Sequence, residues 1–151
     1  MDLFGETRRL RLNGGTVVYH PRPALGLSAD LLMEVLTSEL VWQQHKVQTH
    51  NIEMNQPRLS SWHGDVVHTH ATLAHDLHPV PWSPVLARLR QCVAEIAEAP
   101  FNSMLANLYR DGTDTIGWHS DHEEGLGPEP TIALISLGAE KKFSFRRRDD
   151  H

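Results

Sequence analysis

Residues 107–121 hold the feature that most constrains the fold, a strong turn signal between two extended segments. The dipeptide Asp111-Gly112 is typical of tight turns. Residues 101–109 precede it and residues 115–121 follow it, and both segments have a strand-like pattern. We therefore predict a β-hairpin here, around which the rest of the domain is organised.

Two potential metal ligands, His119 and Asp121, lie at the end of this hairpin. In an extended chain alternate side chains share a face, so these two project together, while Trp118 and Ser120 project the other way. Trp118 is accordingly expected in the core. An imidazole and a carboxylate are two of the three ligands that hold iron in non-haem Fe(II) oxygenases. The spacing is short enough to arise by chance, so a polar strand end is the alternative interpretation.

An amide and a phenol precede the turn on one face of the first strand. Asn107 and Tyr109 are alternate residues, so their side chains lie next to one another if the chain is extended. Both groups form hydrogen bonds readily. We expect them to contact a carboxylate ligand of the metal.

Further short motifs occur in order along the chain. They are Pro57-Arg58, Gly64-Asp65, Pro81-Trp82, Phe101-Asn102, the run from Asn107 to Gly112, His119-x-Asp121 with Glu123 after it, the run from Ile135 to Gly138, and the run from Phe143 to Arg146. In the order and spacing of these motifs, residues 15–150 resemble the AlkB family of Fe(II)- and 2-oxoglutarate-dependent dioxygenases. The similarity is to the branch of AlkB homologues 2 and 3, which repairs alkylated nucleobases.

The resemblance implies an α+β fold class, with a double-stranded β-helix (jelly roll) of the 2-oxoglutarate dioxygenase type and N-terminal helices that buttress it. It implies Fe(II) as the cofactor, 2-oxoglutarate as the co-substrate and O2 as the oxidant. Alkylated DNA or RNA would be the substrate, and an N-methyl group would leave as formaldehyde. A lesion within a duplex would have to be flipped out of the base stack.

Site residues are also implied by the resemblance. His119 and Asp121 correspond to metal ligands, Asn107 and Tyr109 to 2-oxoglutarate contacts, and Arg58, His70 and Glu123 to substrate contacts. No side chain is expected to act as a catalytic acid, base or nucleophile, because the metal and oxygen supply the reactivity.

The substrate-contacting segment departs from the family's pattern. Relatives carry a pair of aromatic residues where this chain has His70 and Thr72. An imidazole stacks weakly on a base and threonine does not stack, while base–aromatic stacking contributes about 1–3 kcal/mol. Both residues have an alternative interpretation as ordinary loop residues, and Glu123 as part of a solvated acidic loop.

The last part of the family's domain is expected to be missing, which makes the predicted fold C-terminally incomplete. By the family's spacing, the second histidine ligand and the arginine that pairs with 2-oxoglutarate would both follow residue 151. We therefore expect unpaired strand edges and exposed apolar faces. A truncated enzyme and a shortened natural form are both open, and we expect this chain alone to be weakly active or inactive.

The remaining pattern predicts the other elements. It predicts a strand at residues 16–19, helices over residues 28–42 and 83–100, a buried strand at residues 131–138 and a half-buried strand at residues 142–147. Residues 1–13 are interpreted as a polar N-terminal arm, and residues 14–151 as one AlkB-like dioxygenase domain.

Composition limits the partners and the compartment. The net charge is −5, so contact with nucleic acid requires a local basic patch. Residues 141–148, with two lysines and three arginines, are the candidate, and a solvated strand end is the alternative. No apolar run or signal sequence indicates a membrane span or export. The single Cys92 suits a reducing compartment, the bacterial cytoplasm or a nucleus, and we expect a monomer.

Three hypotheses for function follow from these observations. The first is an AlkB-type oxidative demethylase of alkylated nucleobases. The second is a related dioxygenase that acts on RNA or protein, which the acidic net charge and the missing aromatic pair favour. The third is a catalytically silent binding module that uses the sheet and the basic residues 141–148.

Overall fold

The computed structural model describes residues 5–12, 14–49, 52–65, 79–121, 126 and 129–146. Its elements in chain order are β1 (Arg8–Leu12), β2 (Gly15–Tyr19), α1 (Ala29–Glu39), β3 (Lys46–Thr49), β4 (Ile52–Asn55), β5 (Leu59–Gly64), α2 (Pro84–Ala97) and β6 (Ser103–Leu108). Within the described ranges the strands form three two-stranded antiparallel sheets, β1–β2, β3–β4 and β5–β6. Helices and antiparallel strands together make this an α+β fold, as expected.

Serine caps begin both helices, as the sequence predicts. The Ser28 hydroxyl accepts a hydrogen bond from the Leu31 amide, and the Ser83 hydroxyl accepts one from the Leu86 amide. These bonds satisfy amides that have no partner within the helix. Both helices end earlier than predicted, α1 at Glu39 and α2 at Ala97.

The hydrophobic core joins the two helices to a segment near the end of the chain. Leu25, Leu32 and Leu89 are its buried residues. Half-buried side chains pack around them: Leu36, Val85, Val93, Ile96, Ile135 and Leu137. Burial of one leucine contributes about 1.5–3 kcal/mol relative to leaving it exposed. The helices therefore support the last described segment of the chain by direct apolar contact.

Among the described residues, the strand pair β5–β6 is the most extensive sheet. Its antiparallel register runs from Leu59 opposite Leu108 to Gly64 opposite Ser103. On its other edge β5 forms single bridges through Gln43 and Val80. Four of its six residues are buried. β5 therefore lies inside the fold, and side chains on its inner face can be held in fixed positions.

The predicted hairpin across residues 101–121 is wrong. β6 pairs with β5, and residues 115–121 form no strand. The turn signal does form a turn, because the Asp111 carboxylate accepts hydrogen bonds from the amide and hydroxyl of Thr113. The Thr115 amide then donates to the Pro57 carbonyl at 2.8 Å. Because of this bond, the chain after the turn lies beside the residues that precede β5 and does not pair with β6.

Residues 131–146 contain no strand, so both strands predicted in this segment are wrong. Alternation persists, because Ile135 and Leu137 pack on the helices while their neighbours face solvent. The large apolar side chains that are more than half exposed here are Ile132, Leu134, Phe143 and Phe145. Within the described ranges no strand lies alongside to pair the backbone of this segment. The exposed apolar faces match the sequence expectation.

The N-terminal residues are more ordered than the sequence indicates. Residues 8–12, within the predicted polar arm, form β1, and the strand predicted at residues 16–19 lies within β2. Gly14 has a φ of 101°, which glycine adopts without strain. The polar residues 46–55 form a further hairpin, β3–β4, that the sequence did not indicate. None of the described helices could span a bilayer.

Candidate metal and oxoacid site

The register of β5 and β6 places a serine and an asparagine directly opposite one another. Ser60 is 1% exposed, and its hydroxyl donates to Asn107 Oδ1 at 2.8 Å. The Arg58 Nε donates to the same oxygen at 3.0 Å. Because both donors use Oδ1, the orientation of the amide is determined, and its Nδ2 is left to donate elsewhere.

Arg58, which bonds this amide, also lies within electrostatic range of the phenol of Tyr109. Burial raises the pKa of Tyr109 above its usual value, and the charge of Arg58 opposes that rise. Burial in turn lowers the pKa of Arg58. Across the described part of the chain, no carboxylate forms an ion pair with Arg58. A partly dehydrated guanidinium, a phenol and an amide N–H thus meet without an anion, an arrangement suited to a carboxylate ligand.

His45 also borders Arg58, which the sequence did not indicate. Burial lowers the pKa of His45, and the positive charge of Arg58 lowers it further. The neutral form of the ring is therefore favoured beside the guanidinium. The hydrogen bond from the Gln56 amide to the His45 carbonyl, 2.7 Å long, helps to hold His45 near Arg58.

The turn after Tyr109 is held by a buried carboxylate. Arg110 Nε and Nη2 donate to the two oxygens of Asp114 at 2.7 and 2.8 Å, and the Arg110 amide donates to the same group at 2.9 Å. The hydrogen bonds from the Arg110 side chain and backbone lower the pKa of Asp114 to about 2. The turn is therefore rigid at the point where the chain leaves Tyr109.

Lys141 connects that turn to the last described segment. Its ammonium group donates to the Asp114 carbonyl and lies 4.4 Å from the centroid of the Tyr109 ring. A cation over an aromatic face contributes about 0.5–1 kcal/mol at an exposed site. The lysine was predicted as part of a basic patch or a solvated strand end. In the structure it instead packs against the phenol that belongs to the candidate site.

The two predicted metal ligands face each other across a short gap. His119 Nε2 lies 3.5 Å from Asp121 Oδ1, and the two side chains are 52% and 51% exposed. His119 Nδ1 lies 2.9 Å from the Gly117 carbonyl. If Nδ1 carries the hydrogen, as that carbonyl requires, the Nε2 lone pair is free to bind a metal beside the carboxylate. The pair thus fits iron in donor type and orientation.

The backbone that carries this pair belongs to no strand or helix. Trp118 was predicted in the core, but it is 58% exposed, and the Arg146 guanidinium lies 4.4 Å from its ring centroid. The prediction is wrong because no strand or helix covers this side of the segment within the described ranges. In the same ranges, no group of three histidine, cysteine, aspartate or glutamate side chains forms a metal site.

Some predicted site residues lie outside the described residues. They are His70 and Glu123, together with Thr72 and the basic residues Arg147 and Arg148. The segment that contains His70 begins after Asp65 and ends before Pro79.

Several residues of the sequence motifs that have no predicted role lie close together at the C-terminal end of β5. Asp65 accepts hydrogen bonds from Arg90 Nη1 at 2.6 Å and from Trp82 Nε1 at 2.7 Å. The Arg90 guanidinium also lies 4.9 Å from the Trp82 ring centroid. A Cβ on Gly64 would come within 3.2 Å of the Asn102 carbonyl, so this close approach favours glycine. The cluster fixes the relative positions of residues 65 and 82.

A cavity of about 390 Å³ adjoins this cluster. Its lining includes Asp65, Trp82 and Arg90, with Phe101 from the residues before β6 and small side chains of α2. The charged groups in it already bind each other, as described above. The cavity therefore presents an apolar wall beside a satisfied ion pair.

Residues 21–151 match the family model of the 2OG-Fe(II) oxygenase superfamily. The human alpha-ketoglutarate-dependent dioxygenase alkB homolog 3 is 38% identical over 120 residues, which are 80% of this chain and 42% of that protein. The mouse DNA oxidative demethylase ALKBH2 is 41% identical over 104 residues, which are 69% of this chain and 44% of that protein. The chain therefore matches less than half the length of these relatives.

Proposed function

Because the chain belongs to the 2OG-Fe(II) oxygenase superfamily, we propose that it takes part in Fe(II)- and 2-oxoglutarate-dependent oxidative demethylation of alkylated bases in DNA or RNA. Family members use Fe(II) and 2-oxoglutarate, and the named relatives are dioxygenases and DNA demethylases. We further propose that β5 and β6 are part of a jelly roll. The free and buried Cys92 is consistent with a reducing compartment, the cytoplasm or a nucleus.

One observation carries this proposal, the cluster of hydrogen-bond donors at Asn107. Its Oδ1 is occupied by Arg58 and Ser60, so its Nδ2 can only donate. The Tyr109 phenol, whose pKa is raised, donates as well at neutral pH. A site that offers an amide N–H, a phenol O–H and a guanidinium suits an anion that is rich in acceptors, such as a 2-oxo acid.

His119 and Asp121 would hold the metal in this proposal. Their side-chain atoms are 3.5 Å apart, and the Gly117 carbonyl orients the imidazole. Bound Fe(II), with O2 and 2-oxoglutarate, supplies the oxidation of an N-methyl group. The Arg110–Asp114 turn holds the connection between the oxoacid contacts and the metal ligands. His70 and Glu123 are proposed to contact the base or its backbone, whereas Arg58, predicted as a substrate contact, bonds Asn107 and is proposed to contact the oxoacid instead.

Titration calorimetry tests the metal assignment directly. Mn(II) serves as a redox-stable substitute for Fe(II), and 2-oxoglutarate is added second. We expect the chain to bind Mn(II), His119→Ala to lose that binding, and His20→Ala, which removes an imidazole that bonds Thr7, to retain it. If His119→Ala binds Mn(II) as the unchanged chain does, a catalytically silent binding module is favoured instead.

An oxygen-consumption assay then tests turnover. The chain is incubated with Fe(II), 2-oxoglutarate and a methylated oligonucleotide, and formaldehyde is measured alongside oxygen. Turnover that requires the methylated oligonucleotide supports demethylation. Turnover of 2-oxoglutarate that a methylated oligonucleotide does not stimulate would point to another substrate class, such as protein.

A further inference from the structure

We propose that the β1–β2 ribbon is a docking surface for the backbone of single-stranded nucleic acid, with Arg9 and Arg11 as phosphate contacts. This inference rests on the proposed action on nucleic acid. The ribbon spans residues 8–19 and precedes the part of the chain that matches the family model, residues 21–151. It is therefore a feature that the family model does not account for.

The strand register puts these two arginines on one face. Arg9 lies opposite Val18 and Arg11 lies opposite Thr16. Directly paired residues in an antiparallel ladder share a face, and alternate residues are about 7 Å apart along a strand. The two guanidinium groups are therefore carried in parallel on a common surface. Every residue of β1 is exposed, so nothing described in the fold covers this face.

Three other guanidinium or ammonium groups of the described residues have an anionic partner. Lys46 pairs with Glu53 at 2.8 Å, Arg90 with Asp65 at 2.6 Å and Arg110 with Asp114 at 2.7 Å. Within the described residues, no such partner binds Arg9 or Arg11. Their charge is thus fully available to a polyanion.

The local charge is opposite in sign to that of the whole chain. Residues 8–19 contain three arginines and no acidic residue, while the net charge of the chain is −5. A local basic surface on an acidic protein directs a polyanion to one place and disfavours contact elsewhere. A base must leave the stack before it can react, so a single strand is the form in which the substrate reaches the site most readily. The ribbon would supply affinity that does not depend on sequence.

Salt-dependent binding of unmethylated single-stranded DNA tests the proposal. Fluorescence anisotropy with a labelled oligothymidine is measured from low to moderate NaCl for the unchanged chain and for Arg9→Gln/Arg11→Gln. Each phosphate contact contributes about 0.7 to the slope of log K against log salt for a single strand. The double variant should therefore lose about 1.4 from the slope, equivalent to ~25-fold weaker binding at 0.1 M salt.

Arg88→Gln is the matched control, because Arg88 is an exposed arginine of α2 that donates to the neutral side chain of Gln91. It should leave the slope unchanged, whereas Arg9→Gln alone should lower it by about 0.7. An unchanged slope in the double variant overturns the proposal, as does the absence of DNA binding by the unchanged chain. Ribbon-dependent binding to vesicles of anionic lipid, without binding to DNA, also overturns it.

The metal titration separates this inference from the proposed function. If Mn(II) and 2-oxoglutarate do not bind but the double variant loses the salt-dependent DNA affinity, the ribbon proposal holds and demethylation fails. If both ligands bind and methylated DNA is turned over while the slope is unaffected, demethylation stands and the ribbon proposal fails. Circular dichroism should give the same thermal midpoint for every variant, because both substituted side chains are exposed.

Discussion

The two halves of the candidate site are built in different ways. On the oxoacid side, Asn107 and Ser60 sit on paired strands, and Arg58 completes a network of bonds of 2.8 and 3.0 Å. On the metal side, His119 and Asp121 sit on irregular backbone, and the contact that orients the imidazole comes from Gly117. The first half is maintained by a sheet ladder, and the second by bonds within a few residues.

This difference determines how each half should respond to change. Strand register fixes a side chain through many backbone hydrogen bonds, so a lost polar group there has a local and graded cost. A pair of proposed ligands on irregular backbone depends on each member, because within the described residues no third histidine, cysteine, aspartate or glutamate joins them in a metal-binding group. The turn at Arg110–Asp114 is the element that joins the halves.

The largest effect is expected on the metal side. Asp121→Asn removes the only charged oxygen ligand of the pair, so Mn(II) affinity should fall by more than about 100-fold, because loss of an outer-shell partner alone costs 10–100-fold. Isothermal titration measures this directly. Asp30→Asn, in the first turn of α1, is the control and should bind as the unchanged chain does. Equal affinity of Asp121→Asn and the control would mean that the two halves do not differ as described.

An intermediate effect is expected at the turn between the halves. Asp114 has a pKa of about 2 in the folded chain, below the value of about 3.9 in an unfolded chain. The unfolded state therefore binds more protons between these values, and the stabilisation present above pH 4 is lost as the pH falls toward 2. Asp114→Asn should remove this part of the pH dependence and lower the urea midpoint at neutral pH.

Urea denaturation at several pH values measures this effect, with Glu34→Gln on the exposed face of α1 as the charge control. Asp114→Asn should also weaken Mn(II) binding, since the turn positions the segment that carries His119. A steep pH dependence retained in Asp114→Asn would assign the acid sensitivity to other carboxylates. A flat pH dependence in the unchanged chain would contradict the prediction.

The smallest effect is expected on the oxoacid side. Ser60→Ala removes one donor to Asn107 Oδ1 while the bond from Arg58 remains. A single hydrogen bond contributes about 1 kcal/mol, so 2-oxoglutarate affinity should fall by about five-fold. Mn(II) affinity should not change. Ser38→Ala, which removes a hydroxyl that donates to the Val35 carbonyl in its own helix, is the control. A loss of Mn(II) binding in Ser60→Ala would show that the halves are not independent.

Local patterns were predicted well from the sequence because their causes are local. Both serine caps and the Asp111 turn depend on bonds between near neighbours. The alternation of Ile135 and Leu137 also survived, although the strand itself did not form. In that segment the prediction failed because a strand requires a neighbouring strand, and none is described beside it.

The choice of strand partner could not be predicted from the sequence. A turn dipeptide between two extended segments favours a hairpin, but the Thr115 amide bonds the Pro57 carbonyl, and β6 takes β5 as its partner. The importance of Ser60 and Lys141 follows from that choice. Neither carries a motif of its own, and each acquires its contacts only when distant segments meet.

The sequence by itself determined the identity and order of the chemical groups: an amide and a phenol, then a turn, then an imidazole and a carboxylate. It also determined the helix starts, because capping bonds span only a few residues. The tertiary structure decided which groups surround them, placing Arg58 and Ser60 on Asn107 and Lys141 on Tyr109. The reason is that strand pairing and side-chain packing join residues far apart in the chain, and a local pattern carries no information about that partner.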